Sequence, residues 1–167
     1  PMQESRYLKD NLENIQRLMA IPALRNFETS NLSRLLHLSK MREYDADETI
    51  IREGDEDPWL YFLLEGSVRV TKKDVEIGVI REVGDIFGEM RIIDSQSRSA
   101  TVVALEPTVC LAVNTTAKDR MSGSGDRDEQ LDFLLLLYRI FAEFLSLRLR
   151  LTNEELIKAN KILQALA

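Results

Sequence analysis

The hydrophobic period of the chain changes twice along its 167 residues. Within residues 4–43, Leu8, Leu12, Ile15, Leu18 and Met19 recur at three- and four-residue spacing, which predicts a helix. Pro22 interrupts that pattern. Ser30 or Asn31 then offers a cap for a second helix carrying Leu32, Leu35, Leu36 and Leu38. Over residues 44–114 the period shortens. "TIIREGD", "WLYFLLEG", "SVRVTKK", "EIGVIREVG", "SATVVALE" and "TVCLAVN" are short strand-like runs punctuated by Gly, Asp and Pro. That spacing predicts an all-β sandwich or barrel. Val68 and Val70 alternate with Arg69 and Thr71, and Ile77 and Val79 with Glu76 and Gly78, as in strands buried on one face. "WLYFLL" lacks alternation, so it is expected to be covered on both faces.

After "GSGD" at 123–126, read as a flexible break, the helical period returns. Leu135, Tyr138, Ala142, Leu145, Leu149, Thr152, Leu156, Ala159, Leu163 and Leu166 step by three and four alternately. This is a heptad seam. Its first half is apolar off the seam too, at Phe133, Leu134, Leu136, Leu137, Phe141 and Phe144, as if the helix also packs on its own β-rich section. Its second half is polar off the seam, at Asn153, Glu154, Glu155, Lys158, Asn160 and Lys161. The seam therefore predicts a parallel homodimer, ahead of a helix folded back on its own domain.

Composition narrows the function. Hydrophobic residues make up 44% and charged residues 30%, which suits an ordinary globular domain. A net charge of −6 argues against a nucleic-acid surface, because phosphate binding wants a basic face. No apolar run reaches the length of a membrane span, and no signal peptide is visible, so a cytoplasmic location is expected. The single cysteine, Cys110, excludes an internal disulfide and a multi-cysteine zinc site, and reads as a buried thiol. The single histidine, His37, reads as a surface or packing residue. No nucleophile–base pair, metal cluster or carboxylate pair stands out, so an enzyme is not expected and no metal is implied.

One stretch carries chemistry. In "GDIFGEMRIIDSQSRS", Gly84 and Gly88 permit tight turns and close approach of backbone to a ligand. Glu89 to Ile93 fits one short helical turn, whose free N–H groups favour an anion. Arg98 adds a cationic fork suited to phosphate oxygens, and Ser99 a hydroxyl. Glu89 suits a sugar hydroxyl better than a phosphate. An anion beside a vicinal hydroxyl describes a nucleotide. On spacing alone, a turn closed by a surface Glu–Arg salt bridge explains the same residues.

Together, "EGDEDPWLYFLLEGSVRV" and "GDIFGEMRIIDSQSRSATVVAL" resemble the cyclic nucleotide-binding domain family, the β-roll shared by the catabolite activator protein, the regulatory subunit of protein kinase A and cyclic nucleotide-gated channels. The resemblance runs from about Leu18 to about Thr116, with Gly54, Gly66, Gly84 and Gly88 where the family has them. Its phosphate-binding cassette appears here as Phe87-Gly88-Glu89 and Arg98-Ser99-Ala100-Thr101, within 87–101. The fold implied is mainly β with flanking α-helices: an eight-stranded, jelly-roll-like β-roll with N-terminal helices and a long C-terminal dimerisation helix. The division implied is 1–43 helical, 44–114 β-roll and 115–167 C-terminal helices.

The ligand-binding set implied is Phe87, Gly88, Glu89, Met90, Arg91, Arg98, Ser99 and Ala100. Glu89 would accept from the ribose 2′-hydroxyl and Arg98 would pair with the cyclic phosphate. Backbone N–H groups at Gly88 and Arg91 would cradle that phosphate, and Ser99 would bond a phosphate oxygen or the base. Serine after the arginine leans towards cyclic AMP, where cyclic GMP binders more often carry threonine. The sequence departs from the family at two places. Arg91 stands where a small residue is usual; it can point outward to Asp94 or Asp85, point inward as a second cation, or fill the phosphate site. Ser97 stands where proline often stiffens the loop.

The function implied is a regulatory module that binds cyclic AMP in preference to cyclic GMP and passes the signal through its C-terminal helix, as a homodimer without DNA or membrane contacts. The alternative is a domain of the same fold that has lost its ligand and serves as a dimeric interaction module. Transcription-factor members continue into a helix-turn-helix. Here the sequence ends at Ala167, so an effector is expected beyond it or in a partner.

Overall fold

The computed structural model describes residues 1–5, 21, 24, 36, 39–89, 96–115 and 127–167. Within them the chain forms β1 (Gln3–Ser5), β2 (Ser39–Tyr44), β3 (Thr49–Ile51), β4 (Trp59–Glu65), β5 (Val68–Lys72), β6 (Val75–Ile80), β7 (Ile86–Phe87), β8 (Thr101–Ala104), β9 (Thr108–Asn114) and the helix α1 (Arg127–Leu166). The strands make two antiparallel sheets, ordered β1-β2-β9-β4-β7 and β3-β8-β5-β6. This is the expected β-roll with a C-terminal helix.

The apolar runs explain the layering. β4 lies between β9 and β7, and Leu60 to Leu64 are all buried, so its unbroken apolar run is covered on both faces as predicted. β9 pairs with β2 on one side and β4 on the other, and Cys110 to Val113 are fully buried. Tyr44, Ile51, Tyr61, Leu63, Val68, Phe87, Val102 and Cys110 interdigitate between the sheets as the core. Lys73 and Asp74, both with positive φ, close the β5–β6 hairpin in two residues, a backbone twist that matches the twist of the flanking strands.

Three differences from the expected architecture have physical causes. The segment 4–43 is not helical throughout: Glu4 and Ser5 belong to β1, and Ser39 to Glu43 belong to β2. Good helix formers such as Lys40, Met41 and Arg42 are held extended because β9 offers a full ladder, from Ser39↔Val113 to Tyr44↔Thr108. The β-roll therefore begins at β2 and not at residue 44. Nine strands are described where eight were expected, because β1 adds an edge to β2 through a salt bridge of Glu4 with Lys40 (2.6 Å) and Arg42 (3.1 Å). Ile77, expected to face inward, is 60% exposed, because β6 is the edge strand of its sheet. The predicted N-terminal helix seam, Pro22, His37 and the "GSGD" break fall outside the described residues; Ile21 and Leu24 are buried.

The helix α1 runs unbroken for 40 residues. Every residue of the predicted seam is exposed, from Leu135 (65%) to Leu166 (80%), and every side chain from Leu149 onward is exposed. Among the described residues no helix is long and apolar enough to cross a membrane.

Candidate ligand pocket

A cavity of about 350 Å³ opens between β5, β6, β7 and the loop before β8. That volume lies in the range of small-molecule sites. One end is polar, formed by Gly88, Glu89, Arg98 and Ser99; the rest is apolar, with Ile51, Val70, Ile80, Val102 and, from the distant helix, Leu145. The structure thus brings Phe87, Gly88, Glu89, Arg98, Ser99 and Ala100 of the predicted set to one cavity. Met90, Arg91 and the short turn through Ile93 lie outside the described residues.

Arg98 organises the polar end. It is only 4% exposed, and its backbone is tied to the loop after β3: its N–H donates to the Asp55 carbonyl at 2.8 Å, and the Gly54 N–H donates to its carbonyl at 2.9 Å. Its Nε donates to Asp57 Oδ2 at 2.9 Å, and its Nη2 to Asp57 Oδ1 and to the Trp59 carbonyl. Its Nη1 donates to the Gly88 carbonyl at 2.7 Å. Four of the five guanidinium hydrogens are thus spent on holding the fork in place. Among the described residues, the second Nη1 hydrogen is left over. A buried guanidinium is tolerable because the carboxylate answers its charge. Asp57 is itself oriented by the Trp59 N–H, which donates to its Oδ1 at 3.1 Å.

Gly88 is part of the same lock. Its φ is +78°, and a Cβ there would lie 2.6 Å from Arg98 Nη1. Phe87 fixes the adjoining position by stacking on Tyr61, with ring centroids 5.1 Å apart and planes 6° apart. At the far end of the same Tyr61 side chain, Arg42 donates to the hydroxyl at 2.9 Å and lies 4.1 Å from the Trp59 ring centroid. Burial pushes the Tyr61 and Tyr44 hydroxyls above their ordinary values, so both stay neutral.

Asp57 was not singled out from sequence. "EGDEDPW" holds four acids, and spacing does not say which one meets Arg98; the rigid Pro58 beside Asp57 was the available signal. The Trp59 carbonyl is a backbone group and leaves no sequence signal. Leu145 carried a signal of another kind, as a seam residue, with nothing to place it at a pocket 47 residues upstream in the chain.

Residues 41–121 match the family model of the cyclic nucleotide-binding domain. The chain is 29% identical over 112 residues to a cGMP-dependent protein kinase of Eimeria tenella, covering 67% of this chain and 11% of that protein. It is 36% identical over 107 residues to the cAMP-dependent protein kinase type II regulatory subunit of Drosophila melanogaster, covering 62% of this chain and 28% of that one. The chain therefore spans well under a third of either relative. The solved regulatory subunit of a cAMP-independent protein kinase A from Trypanosoma brucei superposes with a TM-score of 0.57 at 31% identity, over 62% of this chain and 38% of that one. Two-sheet topology and sequence match agree over one stretch: residues 41–121 carry the cyclic nucleotide-binding domain whose family model they match.

Proposed function

We propose that the domain binds a cyclic nucleotide, cyclic AMP in preference to cyclic GMP, and passes its occupancy to α1 as a homodimer. The observation that carries this reading is the two-ended cavity: a buried, pre-oriented arginine beside Glu89 at one end, and an apolar wall reaching Leu145 of α1 at the other. The remaining Nη1 hydrogen of Arg98 would serve the cyclic phosphate and Glu89 the ribose hydroxyl. The base would then lie against Val70, Ile80, Val102 and Leu145. That wall carries no side-chain donor or acceptor among the described residues, so guanine would leave more polar groups unpaired than adenine. Ser99, at the polar end, points the same way. The exposed seam of α1 supports the homodimer.

Titration calorimetry with both nucleotides tests this. Heat with cyclic AMP, a weaker response to cyclic GMP, and a loss of about 30-fold or more in affinity for Arg98→Lys are expected. No heat and no thermal stabilisation by either nucleotide at millimolar concentration would overturn it.

One observation favours a second reading. Arg98 already has its charge answered by Asp57 and its donors largely satisfied within the chain. Such a lock also suits a domain that keeps the fold and the dimer helix but needs no ligand. The same titrations separate the two readings.

A further inference from the structure

The groups that hold Arg98 are themselves held from the opposite edge of their sheet. Two residues of β4 fix Arg98. Trp59 gives its carbonyl to Nη2, and its N–H orients Asp57. Tyr61 acts through Phe87. The two rings stack across the β4–β7 ladder, and Phe87 leads directly into Gly88, whose carbonyl accepts from Nη1 at 2.7 Å. β7 is two residues long and lies at the edge of its sheet, so the Tyr61 ring is a large part of what places it. One side chain touches both of these β4 residues. Arg42 sets its guanidinium 4.1 Å from the Trp59 ring centroid and donates from Nη1 to the Tyr61 hydroxyl at 2.9 Å.

Arg42 comes from β2, and β9 runs between β2 and β4. The crossing is possible because β9 presents small residues there: Arg42 pairs with Cys110, and Tyr61 pairs with Ala112. The Arg42 side chain is only 11% exposed, and a cation so placed needs an anion to stay. Among the described residues, the carboxylate bonded to it is that of Glu4, its ladder partner on β1, which accepts from Nε at 3.1 Å. The same carboxylate accepts from Lys40 at 2.6 Å, and Lys40 lies 5.6 Å from the Trp59 ring centroid. Without Glu4, two like charges would share one indole. The way out for the Arg42 guanidinium is into solvent, away from Tyr61.

Resting on the nucleotide reading above, we propose that Glu4 and Arg42 are positioning residues for the phosphate end of the pocket: with β1 docked they fix Trp59 and Tyr61, and these fix Arg98 for the ligand. A tie for the N-terminal strand alone would need only the surface pair of Glu4 with Lys40. Arg42 instead turns Nη1 and its flat face inward, and both inward contacts fall on the β4 residues that anchor Arg98. β1, three residues long on a sheet edge, supplies the element with two states, docked and undocked. Undocking removes the carboxylate from Arg42 and loosens the cradle of Arg98. A docked β1 and a bound cyclic nucleotide therefore favour each other.

Trp59 is the only tryptophan of the chain, so its fluorescence emission reads the cradle without a ligand. The test uses the full chain with Glu4→Gln, Arg42→Met and the two combined, and Glu43→Gln, exposed on the same strand as Arg42, as the control. Glu4→Gln and Arg42→Met are each expected to shift the Trp59 emission and to weaken cyclic AMP binding in titration calorimetry about fivefold, with the double variant no weaker than Arg42→Met. Glu43→Gln is expected to match the parent in both measurements. If Arg42→Met does not fold, Glu4→Gln, a surface substitution, decides alone. Parent affinity in Glu4→Gln, an unshifted emission, or losses that add in the double variant would overturn the proposal and leave the nucleotide reading intact. A parent chain that binds neither cyclic nucleotide would overturn both.

Discussion

Gly88→Ala isolates the lock around Arg98. Two costs follow from the structure. With φ at +78°, any side chain at this position carries left-handed strain of about 1 kcal/mol. The new Cβ would also stand 2.6 Å from Arg98 Nη1, 3.1 Å from Ile51 Cδ1 and 3.2 Å from the Trp59 carbonyl. Arginine ends usually swing aside, but this one is held by Asp57 and by the Trp59 carbonyl itself. Moving it sacrifices the charge-assisted bond to the Gly88 carbonyl, worth about 2 kcal/mol. The sum is about 3 kcal/mol, or roughly 6–12 °C in melting temperature for a chain of this size. Gly54→Ala supplies the control: its φ is +89°, yet nothing lies within 4 Å of the added Cβ, so only the strain applies. A drop of about 2–4 °C is expected there. Calorimetric melting of both variants separates strain from contact. Equal drops would show that Arg98 yields freely, and the argument for a pre-oriented guanidinium would fail with it.

Three further outcomes follow from other parts of the molecule. Asp57→Asn leaves the buried Arg98 guanidinium without its counter-charge and is expected to cost about 3 kcal/mol in urea unfolding, against little for Asp55→Asn, which stands exposed on the same loop. Burial pushes the Cys110 thiol up to about 12, so a thiol reagent at pH 8 is expected to leave the native chain unmodified and to label it stoichiometrically in denaturant. Its contribution to stability is lost as pH rises past the ordinary thiol range, where only the unfolded chain ionises. The hydrogen bond from Lys40 holds the Glu4 carboxyl below its ordinary value of 4.5, so docking of β1 is supported above that pH and weakens as pH falls through the lowered value; the protection of the Gln3–Ser5 amides against exchange, taken relative to the unfolded chain at each pH, should fall on acidification, and Glu4→Gln should remove that dependence.

What was legible in the sequence was whatever a single element decides for itself. β4 and β9 show their burial as unbroken apolar runs, and α1 shows its seam as a period. Phe87, Gly88, Glu89, Arg98, Ser99 and Ala100 were legible because one short stretch carries them all. β2 was not, since Ser39 to Glu43 are held extended by β9, about seventy residues later in the chain, against their own preference. Asp57 was not, because its role depends on the Trp59 N–H and on a loop-to-loop ladder between Gly54, Asp55 and Arg98. Leu145 showed only one of its two faces.

That residue joins the pocket to the helix. Leu145 lies on the seam and also lines the cavity, so a base stacked in the cavity and a second helix laid on the seam would touch the same side chain. If the proposed homodimer forms on that seam, any preference a bound nucleotide has for one rotamer or height of Leu145 would be felt by it, and the reverse would hold by linkage. The size of that coupling is bounded by what one leucine can contribute, about 1–3 kcal/mol, or roughly 5- to 150-fold in affinity. A switch built this way needs no rearrangement of the β-roll, where Arg98 and Asp57 are already fixed. It needs only that the helix sit differently over an occupied cavity than over an empty one. Leu145→Ala therefore should lower nucleotide affinity and dimer affinity together, while Leu163→Ala, on the same seam but away from the cavity, should lower the dimer affinity and change nucleotide affinity only through it.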